Sequence, residues 1–207
     1  MKQKEIKLTA NINFVILSVA YFAILMTMVM YMPNMREIDY TILKAVRDFL
    51  APYSIEIPKF ISEFGLANQL LWPLIAAGCV LVSHSKYIKA FMLVLFTELA
   101  FFLKDIIKDF VCRERPYEGF SGFSFPSGHC AVEMCFLGIL IYLVNRHCTN
   151  KFWRYFLTTV FSVWLVLLAV SRMWLGAHFL TDVLAGMFLG FFMVNIFIIL
   201  DKCLNSR

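Results

Sequence analysis

Three short clusters hold residues whose types and spacing suit chemistry on a phosphate group. They are Lys108 with Arg115 and Pro116; Pro126, Ser127, Gly128 and His129; and Ser171 and Arg172 followed by His178 and Asp182. Together they supply three cations, a glycine turn whose backbone N–H groups can meet an anion, and two histidines, one of them four residues before a carboxylate. Phosphoryl transfer asks for such a set, because its transition state is stabilised mainly by positioning and by neutralising charge on the equatorial oxygens.

Each cluster also has a plainer meaning. If the last helix begins near His178, the i,i+4 interval puts His178 and Asp182 on one face, where the carboxylate accepts the Nδ1–H and leaves Nε2 free as a nucleophile. The plainer meaning is a polar network at a helix end, yet an aspartate one turn inside a membrane helix needs a partner on either view. Pro126 to His129 opens another helix. Gly128 lets the backbone approach an anion at the positive end of the helix dipole, and His129 beside it can protonate a departing oxygen. Alone, Pro-Ser-Gly-His reads as a turn and cap. Lys108 to Pro116 alone reads as an interfacial anchor of snorkelling cations.

The elements that carry these clusters are set by composition. Of 207 residues, 61% are hydrophobic and 16% charged, with 22 phenylalanines, more apolar surface than a soluble domain of this size can hide. Stretches of about 20 apolar residues recur, so the fold class is all-α, an integral membrane bundle of six transmembrane helices in one domain. The spans are read as 13–32, 65–82, 87–107, 128–145, 153–170 and 177–200. The first follows Lys2, Lys4 and Lys7 but has no small-x-small cleavage site, so it reads as a retained helix rather than a signal peptide.

Orientation follows from the cations in the connections. With the N-terminus inside, ten of nineteen Lys and Arg fall on the cytoplasmic side, against six outside once Lys108, Arg115 and Arg172 are set apart. Both termini are then cytoplasmic and all three clusters gather at the outer face. The membrane is read as a bacterial inner membrane, with the site periplasmic or extracellular; an endoplasmic reticulum membrane with a luminal site satisfies the same rule. The net charge of +5 is explained by this bias and calls for no nucleic-acid partner.

Other residues are weighed against this frame. Between Pro33 and Glu63, Ile42, Leu43, Val46, Phe49 and Leu50 keep helical spacing, which suggests a helix packed on the outer end of the bundle or an interfacial helix beside a lipid entrance. The six cysteines form no C-x-x-C pair and are expected to be mostly small buried hydrophobes; only Cys112 and Cys130 could meet, and their spacing argues against a disulfide. Glu133, one turn after His129, is placed to tune that histidine, while Glu98 inside span three is either functional or held by a structural hydrogen bond. Arg113 is expected at the rim, Lys104 and Asp105 at the interface, and His84 and His147 in solvent.

The pattern Lys-x6-Arg-Pro, Pro-Ser-Gly-His, Ser-Arg-x5-His-x3-Asp, complete over 108–182, resembles the three-part signature of the type 2 phosphatidic acid phosphatase superfamily. The resemblance implies a membrane phosphatase in which His178 attacks phosphorus to form a phosphohistidine, Asp182 orients it, and His129 acts as acid and then base. It further implies that Lys108, Arg115, Ser127, Gly128 and Arg172 hold the phosphate, without a metal or other cofactor. The expected partner is a lipid phosphate or diphosphate in the membrane, of the undecaprenyl diphosphate, phosphatidylglycerophosphate or phosphatidate type, with no obligate protein partner. The alternative is a phosphotransferase that passes the phosphate to a lipid or sugar acceptor such as lipid A, and a binder or transporter of lipid phosphates is the non-enzymatic reading.

Overall fold

The computed structural model describes residues 2–64, 71, 74, 75, 77–79, 82 and 87–204, with side chains omitted for 2–8 and 64. The helices among them include α1 (Lys2–Tyr31), α2 (Met35–Leu50), α3 (Glu56–Phe64), α4 (Tyr87–Val111), α5 (Gly128–His147), α6 (Lys151–Trp174) and α7 (Leu180–Leu204). The all-α reading holds, since the described residues include no strand. The second expected span, 65–82, lies largely outside the described residues, as do Pro73 and His84. Among the described residues, four stretches are long and apolar enough to cross a membrane: Thr9–Tyr31 of α1, and α5, α6 and α7. The 25-residue α4 has the length to cross, but Lys89, Glu98, Lys104, Asp105, Lys108 and Asp109 reduce its apolarity.

α5 and α7 form the central pair, because glycines bring their backbones together. A Cβ on Gly186 would lie 2.4 Å from the Ser127 carbonyl oxygen, and one on Gly190 would lie 2.5 Å from that of Ala131. Gly186 and Gly190 are spaced G-x-x-x-G, the small-residue stripe that lets helices approach closely in lipid. Leu93, Phe96, Ala100, Phe136, Ile139 and Phe197 fill the core where α4 packs on this pair. α1 lies along α7, where Tyr21 stacks on Phe188 at 5.0 Å, and it leaves Phe14, Ile16 and Ile24 exposed as a lipid-facing surface.

Two networks mark opposite ends of the bundle. At one end Asp201 pairs with Lys89 at 2.9 Å and with Arg146, and accepts from the Tyr142 hydroxyl at 2.7 Å, joining the start of α4 to the ends of α5 and α7. Lys202 and Asn195 both bond to Asn11 of α1 at that end. At the other end lie the finish of α4 and α6 and the start of α5 and α7, and α2 and α3 pack over it. Within α2 the buried stripe is Met35, Asp39 and Leu43 at i,i+4 intervals, whereas Phe49, expected on the packed face, is exposed. The helix packed on the bundle end is therefore the observed arrangement.

The cysteine expectation needs correction. Cys130 and Cys135 are buried, but Cys79, Cys112 and Cys203 are exposed and Cys148 is half-buried, because helix faces turned to lipid and the chain reversals at helix ends need no interior packing. All six are free.

Candidate functional site

The three clusters are brought together by helix ends and by the short segments that pin them. α4 ends at Val111, and Cys112, with φ at 51°, turns the chain into the segment that carries Arg113 and Arg115. Ser124 fastens this segment: its N–H donates to the Arg113 carbonyl at 2.8 Å and its hydroxyl to that of Glu114 at 3.0 Å. The Phe125–Pro126 peptide is cis. Ser127 then stands at the N-cap of α5, yet its side chain makes no capping bond. Its N–H donates instead to the Asp182 carbonyl at 2.9 Å, tying the second cluster to the third.

The third cluster folds back on itself. Gly176, with φ at 73°, takes the left-handed turn that a side chain would resist, and a Cβ there would meet the Tyr117 ring at 2.5 Å. The turn lets the Ala177 and His178 N–H groups donate to the Arg172 carbonyl at 3.1 and 3.3 Å. α7 begins at Leu180, three residues later than the expected span, so His178 precedes the helix instead of lying on its face. The Asp182 carboxylate accounts for this start, because its Oδ2 accepts from the Phe179 N–H at 2.9 Å in the manner of a cap.

His178 is buried, and its Nδ1 lies 3.7 Å from Asp182 Oδ2. That is ion-pair range and longer than a hydrogen bond, so the expected Nδ1–H to carboxylate bond is not made here. Asp182 is occupied by the Phe179 N–H and by Arg113, whose Nη1 donates to Oδ1 at 2.6 Å. The Nε2 of His178 faces Arg115 Nη1 at 3.3 Å. A guanidinium can only donate, so this contact needs a lone pair on Nε2 and favours the tautomer with its proton on Nδ1. Burial, then the charges of Arg172, Arg115 and Lys108, push the His178 imidazole well below its ordinary 6.5, against an opposing contact with the Ser124 backbone. The ring is therefore neutral at pH 7. Burial also lowers Arg115, with Asp182 opposing, and a guanidinium so placed stays charged.

All three cations act on this imidazole. Arg115 is oriented by the Ser121, Gly122 and Ala177 carbonyls, Lys108 by the Phe123 carbonyl at 2.9 Å, and Arg172 by Ser62 of α3. Arg115 and Arg172 flank the Phe120 ring at 5.8 and 5.9 Å. Among the described residues, the buried side-chain nitrogens and oxygens without a hydrogen-bond partner are Ser127 Oγ, His129 Nε2, Arg172 Nε and His178 Nδ1. All four belong to the clusters read from the sequence. Buried polar groups are nearly always paired, so Ser127 Oγ, His129 Nε2 and Arg172 Nε mark a cradle for a polar ligand, while His178 Nδ1 faces Asp182.

Several neighbours differ from expectation. Arg113 is not at the rim: its side chain is 10% exposed and is held between Asp182 and the fully buried Asp39 of α2. The Lys104 side chain is 12% exposed; it pairs with Asp105, lies over the Phe101 ring at 3.9 Å and runs beside Gly128, where a Cβ would meet its Cδ at 2.6 Å. Glu133 is buried one turn after His129, whereas Glu98 lies on an exposed face of α4. His147 is exposed, with Nε2 3.1 Å from Lys89 Nζ at the far end of the bundle. Asp39, Ser62 and Ser124 were not anticipated. Only Asp39 left a signal, as a carboxylate four residues before Leu43 on the apolar stripe. Among the described residues, no three His, Cys, Asp or Glu side chains converge as a metal site.

Comparison with known proteins agrees with this arrangement. The family model described as the PAP2 superfamily matches residues 86–203, a stretch that contains all three clusters. Phosphatidylglycerophosphatase B of Bacillus subtilis (strain 168) is 28% identical over 191 residues, covering 86% of this chain and 92% of that protein. The crystal structure of the first transmembrane PAP2 type phosphatidylglycerolphosphate phosphatase from Bacillus subtilis superposes with a TM-score of 0.84 at 25% identity, covering 91% of this chain and 96% of that one. A match over more than half of the chain, on helices that cross a membrane, makes this protein an integral membrane member of the PAP2 superfamily.

Proposed function

We propose that this protein is a membrane phosphatase that removes the terminal phosphate of a lipid phosphate, with phosphatidylglycerophosphate the first candidate and undecaprenyl diphosphate and phosphatidate behind it. The observation that carries the reading is the set of three unpartnered polar atoms, Ser127 Oγ, His129 Nε2 and Arg172 Nε, set with His178 among the Lys108, Arg115 and Arg172 cations. A phosphate monoester brings the oxygens and charge to satisfy them. The activity named for the Bacillus relative puts phosphatidylglycerophosphate first.

In this reading His178 Nε2 attacks phosphorus, and the P–O bond to the lipid breaks with its electron pair passing to the lipid oxygen. His129 gives that oxygen a proton. Water then attacks the phosphohistidine and gives its proton to His129, and the P–N bond breaks with its electron pair returning to Nε2. Lys108, Arg115, Arg172, Ser127 and the Gly128 backbone hold the equatorial oxygens, and Asp182 steadies the imidazole as it gains positive charge. Catalysis is metal-independent. The whole chain acts as one domain with six spans, α4 and the 65–82 segment completing the four apolar stretches, with both termini cytoplasmic and the site at the outer leaflet.

Phosphate release by the detergent-purified protein from the three lipids, with and without a chelator, tests this. Release that survives chelation and disappears in His178→Ala is the expected result. No release from any of them by a folded protein overturns the reading, and release that the chelator abolishes overturns its metal-free form.

A further inference from the structure

Arg113 lies outside the eleven signature positions, yet it makes the most complete polar network at this end of the bundle. Its Nη1 donates to Asp182 Oδ1 at 2.6 Å and to the Thr181 hydroxyl at 2.7 Å, and its Nη2 donates to Asp39 Oδ2 at 2.7 Å. Asp39 in turn accepts from the Thr181 hydroxyl and, through Oδ1, from the Thr181 N–H at 3.3 Å. The guanidinium lies over the Phe179 ring at 4.3 Å, and Tyr40, next to Asp39, packs edge-on against the same ring at 4.9 Å. Both carboxylates are fully buried.

Such a fork does two things. It restrains the Asp182 carboxylate, since a guanidinium held at one nitrogen by Asp182, at the other by Asp39 and stacked on Phe179 has little freedom to move. It also sets the local charge: two carboxylates and one guanidinium leave one net negative charge beside an imidazole that becomes positive as phosphorus is attacked. We infer that Arg113, anchored by Asp39 of α2, is a positioning residue that aims Asp182 at His178 and so makes turnover depend on the docking of α2. This inference rests on the phosphatase reading above.

The test is a set of variants, Arg113→Gln, Arg113→Lys, Asp39→Asn, Asp182→Asn and the double Arg113→Gln/Asp182→Asn. Each is measured for kcat and KM on phosphatidylglycerophosphate and, separately, for the ring 15N shifts of His178, with thermal midpoints as the folding control. A misaimed group costs roughly a hundredfold. Arg113→Gln should therefore lower kcat by about that factor with KM little changed, and Arg113→Lys should recover only part of it. The double variant should be no slower than Asp182→Asn alone, because Arg113 acts through Asp182. Multiplying losses, or an unchanged kcat in a folded Arg113→Gln, overturns the inference. Should Arg113→Gln fail to fold, Asp39→Asn, which removes only the far anchor, decides by the same kcat and shift criteria. If the unaltered protein releases no phosphate at all, the phosphatase reading falls and the nuclear shifts decide alone. His178 shifts moved alike by Arg113→Gln and Asp182→Asn, and no further by the double, support the positioning role, and shifts left in place by Arg113→Gln end it.

Discussion

The charge state of His178 ties the chemistry of the site to its stability. Burial and three nearby cations hold the folded imidazole well below 6.5, while in the unfolded chain it takes up a proton near that value. Below pH 6.5 the unfolded state thus binds more protons than the folded one, so this residue's contribution is fully present above 6.5 and is lost as the pH falls. Thermal midpoints in detergent at neutral pH and at successively lower pH should decline, and the decline should be shallower in His178→Gln. Equal slopes in the two proteins would mean that the folded histidine takes up its proton as readily as the free one. At this scale the sequence carried much of the arrangement, since the eight proposed site residues sit at or beside the ends of α4 to α7. It did not carry the partners of Asp182. An arginine two residues before a signature arginine looks like one more surface charge, and only the fold brings it to Asp39, 74 positions away.

At the scale of elements, the site depends on how closely α5 and α7 approach. Gly186 and Gly190 lie against the first turns of α5, whose cap, Ser127, bonds to Asp182 on α7. A methyl at 190 would meet the Ala131 carbonyl oxygen at 2.5 Å and the Cys135 nitrogen at 2.9 Å, atoms of the neighbouring backbone that cannot swing away. Gly190→Ala should therefore force the helices apart and cost about 1–3 kcal/mol as overpacking. A lowered thermal midpoint with a parallel fall in phosphate release is the expected outcome, and an unchanged midpoint would show that the pair has slack. Gly78→Ala, where a Cβ meets nothing within 4 Å and the backbone does not take a positive φ, should leave the helix pair untouched and serves as the comparison. Hydropathy found α5 and α6 closely and the end of α1, because apolar runs bounded by charge end where the membrane ends, but it missed the first eleven residues of α1. It placed the start of α7 too early, because Ala177 and Phe179 are apolar for another reason: both are fully buried on either side of His178, ahead of the helix.

For the molecule as a whole, the polar ends define an axis. The Asp201 network and the bonds from Asn11 to Asn195 and Lys202 gather the start of α1 and the end of α7 at one end, and the cradle lies at the other. In the proposed orientation, which the cation bias supports, the first end is cytoplasmic and the cradle would take lipid head groups from the outer leaflet. The native cysteines can report this directly. Cys112 is exposed where α4 ends beside the site, while Cys148 follows α5 and Cys203 lies near the end of α7, both at the opposite end. In intact cells, a membrane-impermeant maleimide should label a variant that retains only Cys112, and variants that retain only Cys148 or only Cys203 should react after permeabilisation alone. The reverse pattern would turn the protein over and send its substrate to the cytoplasmic leaflet. Labelling of Cys112 and Cys203 from the same side would break the axis itself, because α7 would then fail to carry the chain from the cradle to the far end.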